Sequence, residues 1–188
     1  YEISTRDWSS DVCSSDLNHF QTKSSLISML NLNPNKKIAA IFSHILWDSN
    51  LFYGEDIYRD YSEWFIETVK IAIRNIEITW ILKLHPANIW KRNFENETGE
   101  LAEITLLKQN NLYPLPDHVK ILYPDTEIST YTLYKSIDFG ITVRGTVGVE
   151  MPALGITTLT CGTGRYSGDR KSTRLNSSHE WISRMPSS

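Results

Sequence analysis

Three short clusters hold the side chains that could handle a charged ligand. The first is His44, Asp48 and Ser49. The second is Lys83-Leu84-His85-Pro86-Ala87-Asn88. The third is Arg144-Gly145-Thr146-Val147-Gly148-Val149-Glu150, followed by Gly162-Thr163-Gly164-Arg165-Tyr166. Hydroxyls, imidazoles, guanidinium groups and the backbone N–H groups of glycine-rich turns are donors, and donors collected at one place suit an anion, a phosphate above all. Metal chemistry has no comparable signature: the sequence holds no His-x-x-x-His, no close cysteine pair and no Asp-x-Asp.

Each cluster follows a segment that reads as a buried strand. Lys37–Ser43 precedes the first, Ile78–Leu84 runs into the second, and Asp138-Phe-Gly-Ile-Thr-Val143 precedes the third. The pattern after Arg144 predicts a sharp turn, a short helix over Val147–Leu154 closed by Gly155, and a strand over Ile156–Gly162. Elsewhere the spacing predicts helices over His19–Leu32 (ended by Asn33-Pro34), Ile57–Ile76 and Glu100–Gln109. It also predicts a strand over Val119–Tyr123 and a helix capped by Asp125 that runs to about Ser136. In the long helix Tyr61, Trp64, Phe65, Thr68, Val69, Ala72 and Ile73 fall at i, i+3, i+4 intervals, and Trp47, Trp64 and Trp80 are expected in the core. Strand–helix alternation of this kind means an α/β fold, a Rossmann-like parallel sheet with helices on both faces. In such a sheet the three clusters lie on one edge, where they can converge on one ligand.

Taken singly, each group has an ordinary structural reading. His85 would be a histidine satisfied at a strand end, and Glu150 a partner for a helix dipole. His44 and Asp48 would fasten their own loop, Arg144 and Arg165 would be surface charges, and the glycines at 145, 148, 162 and 164 would punctuate turns. The functional reading rests on their convergence.

KLHPAN, DFGITVRGTVGVEMPALGI and CGTGRYSG, together with HILWDSNLFYGEDIYRDYSEW, resemble the capsule polysaccharide biosynthesis family of bacterial glycosyltransferases over nearly all of 36–168. That family is related to GT-B enzymes, in which two Rossmann-like domains face each other and the C-terminal one binds a nucleotide sugar. The resemblance implies that His85 contacts the donor's phosphates or nucleotide. Thr146, Val147 and Gly148 would offer backbone N–H groups to the phosphates, Thr163 would join the binding turn, and Glu150 would bind ribose hydroxyls. Arg144 and Arg165 would neutralise charge on the leaving nucleotide. No cofactor is expected beyond the nucleotide-sugar donor, which is a substrate, and no metal. The acceptor would be a polysaccharide or glycolipid, with peripheral association to a membrane export complex at the cytoplasmic face. The resemblance also implies an acceptor domain upstream of Asn18 that would supply the base, leaving His44 and Asp48 as the candidates within this chain. A chain without that domain is expected to be inactive alone. Two other readings stay open on the same scaffold: a nucleotide-sugar 2-epimerase, and a non-catalytic module for nucleotides or sugar phosphates.

Composition narrows the rest. The 188 residues carry a net charge of −3 and no basic run, which gives a nucleic-acid role no support. No apolar run reaches the length that crosses a membrane. Asp7–Leu17 can be encoded by a DNA string whose reverse complement, in another frame, encodes Asp169–Ser178, and that string resembles a sequencing-library adapter. Residues 1–17 and 169–188 are therefore expected to be adapter-derived and disordered, leaving 18–168 as one nucleotide-sugar-binding domain. Cys13 falls in a flank, so Cys161 stands alone in the domain, which suits a reducing, cytoplasmic setting.

Overall fold

The computed structural model describes residues 22–46, 58–87, 100–162 and 172–174. In chain order the elements are α1 (Lys23–Leu30), β1 (Lys37–Phe42), α2 (Tyr61–Arg74), β2 (Ile78–Lys83), α3 (Ala102–Gln109) and β3 (Val119–Leu122). They continue with α4 (Thr130–Ser136), β4 (Phe139–Thr142), α5 (Val147–Ala153), β5 (Thr157–Thr160) and β6 (Ser172–Arg174). All strand pairs are parallel, and the sheet order is β3-β2-β1-β4-β5-β6. The chain lays β1 in the middle, builds outward to β3, then crosses back to β4 and builds the other way. The reversal falls between β1 and β4, where a crevice opens outside the carboxyl ends of the strands.

Side-chain alternation along the strands divides the core in two. Ala39 and Ile41 of β1, with Trp80 and Leu82 of β2, pack against Trp64, Phe65 and Val69 of α2 and Ile104 and Leu107 of α3. Ile38, Ala40 and Phe42 of β1, with Ile81 of β2, pack against Leu26 of α1, Leu133 and Tyr134 of α4 and Met151 of α5. Both faces of the sheet are thus covered, and the α/β, Rossmann-like architecture matches the expectation. Of the predicted α2 stripe, all but Ile73 are buried, and Trp64 and Trp80 lie in the core. Trp47 lies outside the described residues.

The amino end of β4 is fastened to β1 by Asp138. Its Oδ2 accepts from the Ile38 N–H at 2.9 Å, and its Oδ1 accepts from Lys37 Nζ at 3.0 Å. This clip spans the switch point at the edge opposite the crevice.

Three expectations about element ends need correction. Asn31, in the left-handed region at φ 50°, ends α1 before Asn33-Pro34 is reached, because its backbone N–H can cap the last turn there. Ser129, not Asp125, caps α4. The Ser129 hydroxyl accepts from the Thr132 N–H at 3.1 Å, whereas Asp125 sits in the turn after β3. Ser172–Arg174, expected in a disordered tail, instead pairs with β5 from Thr158↔Ser172 to Thr160↔Arg174. An outer strand satisfies backbone groups that β5 would otherwise leave unpaired. The rest of both flanks lies outside the described residues.

Candidate functional site

A cleft of about 340 Å3 opens at the carboxyl edge of β1, β2 and β4. Its walls include Ser43 and His44 after β1, Lys83 and His85 at the end of β2, Thr130 and Tyr134 of α4, and Thr142, Gly145, Thr146 and Glu150 from the β4–α5 turn. The three clusters named from the sequence therefore meet, as far as they are described. Asp48, Thr163 and Arg165 lie outside the described residues.

His85 stands two residues past the strand end. Its Nδ1 accepts from the Ala87 N–H at 3.1 Å, which places the ring hydrogen of the neutral form on Nε2. Burial, and then the positive Lys83, hold its pKa below the ordinary histidine value. His85 is therefore a neutral donor at physiological pH.

Glu150 lies in the first turn of α5. It is exposed, and its Oε2 accepts a 2.6 Å hydrogen bond from the Tyr134 hydroxyl. Burial pushes the Tyr134 phenol well above its usual range, and the bond to the Glu150 carboxylate adds to the shift. The phenol stays a donor, and it fixes the orientation of the carboxylate.

The β4–α5 turn behaves differently from expectation at one residue. The Gly148 N–H donates to the Gly145 carbonyl at 2.9 Å, closing the turn on itself, and Gly148 is buried. It does not offer that N–H to a ligand. The Thr146 hydroxyl makes no capping hydrogen bond to α5, and Thr146 lines the cleft, exposed. Val147 lines it as well, and Arg144 is half-buried at the start of the turn.

His44 fastens the cleft wall. Its Nε2 accepts from the Val143 N–H at 3.2 Å, with the Arg144 N–H at 3.4 Å and Thr142 Oγ1 at 3.1 Å. The ring stacks on Tyr61 at 4.6 Å and meets Trp64 edge-on at 5.7 Å. These contacts hold the loop after β1 against the end of β4, and they engage the nitrogen that a general base would use. The ordinary reading of His44 as a fastener is the one its geometry supports.

Two cleft residues had no role of their own in the sequence reading, Lys83 as one member of the second cluster and Tyr134 not at all. Lys83 is only 8 % exposed despite its charge. Tyr134 was hidden because nothing in the α4 sequence relates it to Glu150, 16 positions on. Among the described residues no group of three or more His, Cys, Asp or Glu side chains could hold a metal ion, and no helix is long and apolar enough to cross a membrane.

No protein-family model and no curated protein matches the sequence. Among solved structures, the fold is similar to the KpsC β-Kdo 2,7-transferase of Thermosulfurimonas dismutans, with a TM-score of 0.51 and 17% identity over 82% of this chain and 44% of that one. The KpsC β-Kdo 2,4-transferase of the same organism gives 0.45 and 15% over 77% of this chain and 40% of that one. Anabaena HepE in complex with UDP and glucose gives 0.42 and 16%, over 73% and 32%. The chain spans less than half the length of these proteins, and at such identities the likeness is one of fold.

Proposed function

We propose that this chain is the donor-binding domain of a glycosyltransferase of capsule or surface polysaccharide synthesis, taking its sugar from a nucleotide-activated donor. The observation that carries the reading is the cleft at the β1/β4 switch point, where His85 from beyond β2 meets Thr146 and Glu150 from the start of α5. A Rossmann-like sheet offers a nucleotide this place, outside the carboxyl ends of its central strands. The family resemblance of the same segments, and the fold shared with a Kdo transferase, agree with it.

In this reading the neutral His85 donates from Nε2 to a phosphate oxygen. Thr146 contributes its hydroxyl, and the backbone at Thr146 and Val147 faces the same group. Glu150, oriented by Tyr134, accepts from the ribose hydroxyls. Arg144 and, by resemblance, Thr163 and Arg165 border the phosphates, where positive charge stabilises the leaving nucleotide as the glycosidic bond breaks. The acceptor, a polysaccharide or glycolipid, and the base that activates it belong to a facing domain, so this chain alone binds donor without transferring sugar. Work at the cytoplasmic face of a membrane export complex follows from that acceptor.

The test is calorimetric titration of the chain with CMP, CDP, UDP and GDP, with Glu150→Ala and His85→Ala alongside. One nucleotide binds, and each variant weakens it by about tenfold, as loss of a hydrogen bond to a charged group does. A folded sample that binds none of the four, or variants that bind like the parent, would overturn the assignment. Sugar transfer catalysed by this chain alone would overturn the division of labour between domains.

A further inference from the structure

Lys83 is the last residue of β2, and its side chain follows Ile81 to the sheet face covered by α4 and α5. It lines the cleft yet is 8 % exposed. No carboxylate forms an ion pair with it among the described residues. The cleft's own carboxylate, Glu150, takes the Tyr134 hydroxyl instead. Asp125 acts on Lys83 only through space, from the exposed turn after β3, and burial outweighs it, so the lysine pKa lies below its usual value.

A buried ammonium without a counter-ion is costly, because it has left water and gained nothing equivalent. An anion delivered from solution removes that cost. Lysine is a compact point charge with three donors, which suits a single phosphate oxygen better than a planar carboxylate fork. His85, two residues along, lines the same cleft as a neutral donor, so a phosphate entering there meets one cation and one uncharged N–H.

We infer that the Lys83 ammonium is the phosphate-binding cation of this cleft, pairing with a phosphoryl oxygen of a nucleotide. The inference rests on the donor-binding reading and adds to its bordering arginines a cation that lines the cleft itself. It also separates two tasks within the cleft: Lys83 recognises phosphate, while Glu150 and Tyr134 recognise the hydroxyl-bearing part of the ligand.

The test compares the full chain with Lys83→Met and Lys83→Gln. Each is titrated with CMP, UDP, cytidine, uridine and inorganic pyrophosphate at several salt concentrations, and thermal midpoints are recorded. Removing the charge is expected to weaken nucleotide and pyrophosphate binding by at least about tenfold. Nucleoside binding stays the same, the salt dependence becomes shallower, and the Met variant melts no lower than the parent. If the parent binds nucleotide and both variants match it within twofold, the Lys83 inference falls and the donor reading stands. If the parent binds pyrophosphate through Lys83 but no nucleotide, the donor reading falls and the anion site stands. If the parent binds no anion, both fall. Failure of both variants to fold would make Lys83 a structural cation and overturn the inference.

Discussion

The Tyr134 hydroxyl donates to Glu150 Oε2 at 2.6 Å, tying α4 to α5 beside the cleft that both residues line. The bond holds one carboxylate oxygen, and in the proposed donor site the other is the one that meets the ligand. Tyr134→Phe should therefore keep the fold, lose about 1 kcal/mol of stability, and weaken nucleotide binding by about fivefold. Urea denaturation and calorimetry on the same samples check both numbers. Unchanged affinity would show that Glu150 needs no orientation, or contacts nothing.

His85 makes stability depend on pH. Burial and the neighbouring Lys83 hold its folded pKa below the unfolded value, so as pH falls the unfolded chain takes up a proton first. The stability linked to the neutral ring is complete above about pH 6.5 and is lost as pH falls from there toward the folded pKa. The urea midpoint should drop between about pH 7.5 and about pH 5.5, and drop less in His85→Gln. Equal drops in the two proteins would remove His85 as the cause.

Two glycines should fail for different reasons. Gly155 follows α5 at φ +79°, with open space where a Cβ would stand, so Gly155→Ala costs about 1 kcal/mol through backbone conformation alone. Gly140 has ordinary backbone, but a Cβ there would overlap Sδ and Cε of the fully buried Met151. Gly140→Ala should cost about 1–3 kcal/mol through overpacking. The double variant Gly140→Ala/Met151→Ala should show less than the sum of the two single losses, whereas no partner change rescues Gly155→Ala.

Cys161 should be chemically silent. It is 3 % exposed, and burial pushes its thiol up to about 11, with a smaller opposing effect from the Trp64 indole. In a Cys13→Ser background, a thiol reagent at about pH 8 should label Cys161 only on unfolding. Rapid labelling of the folded protein would mean that the α2 side of the sheet opens.

The strands and their faces were legible because period-2 and period-3.6 burial leaves its mark locally. KIAAIF, ITWILK and the Tyr61-to-Ala72 stripe each announce one element without help from the rest. Their carboxyl ends were legible too, which is why His85, Thr146 and Glu150 could be named together. The caps were harder. Asp125 and Ser129 are both good capping residues, and only the path of the chain after β3 decides between them.

What the sequence determined by itself was the alternation of strands and helices, the parallel sheet that follows from it, and the edge on which the polar clusters must lie. What only the tertiary structure decided was which polar atoms remain available at that edge. His44 turned out to be bonded to the amides just past β4, the Gly148 N–H closed its own turn, Tyr134 came over from α4 to hold Glu150, and Lys83 was left buried without an ion pair among the described residues. Periodicity reports whether a side chain faces the core, since that is a property of one element. Whether a donor or a charge is already satisfied depends on atoms from distant parts of the chain, and those meet only when the sheet is assembled.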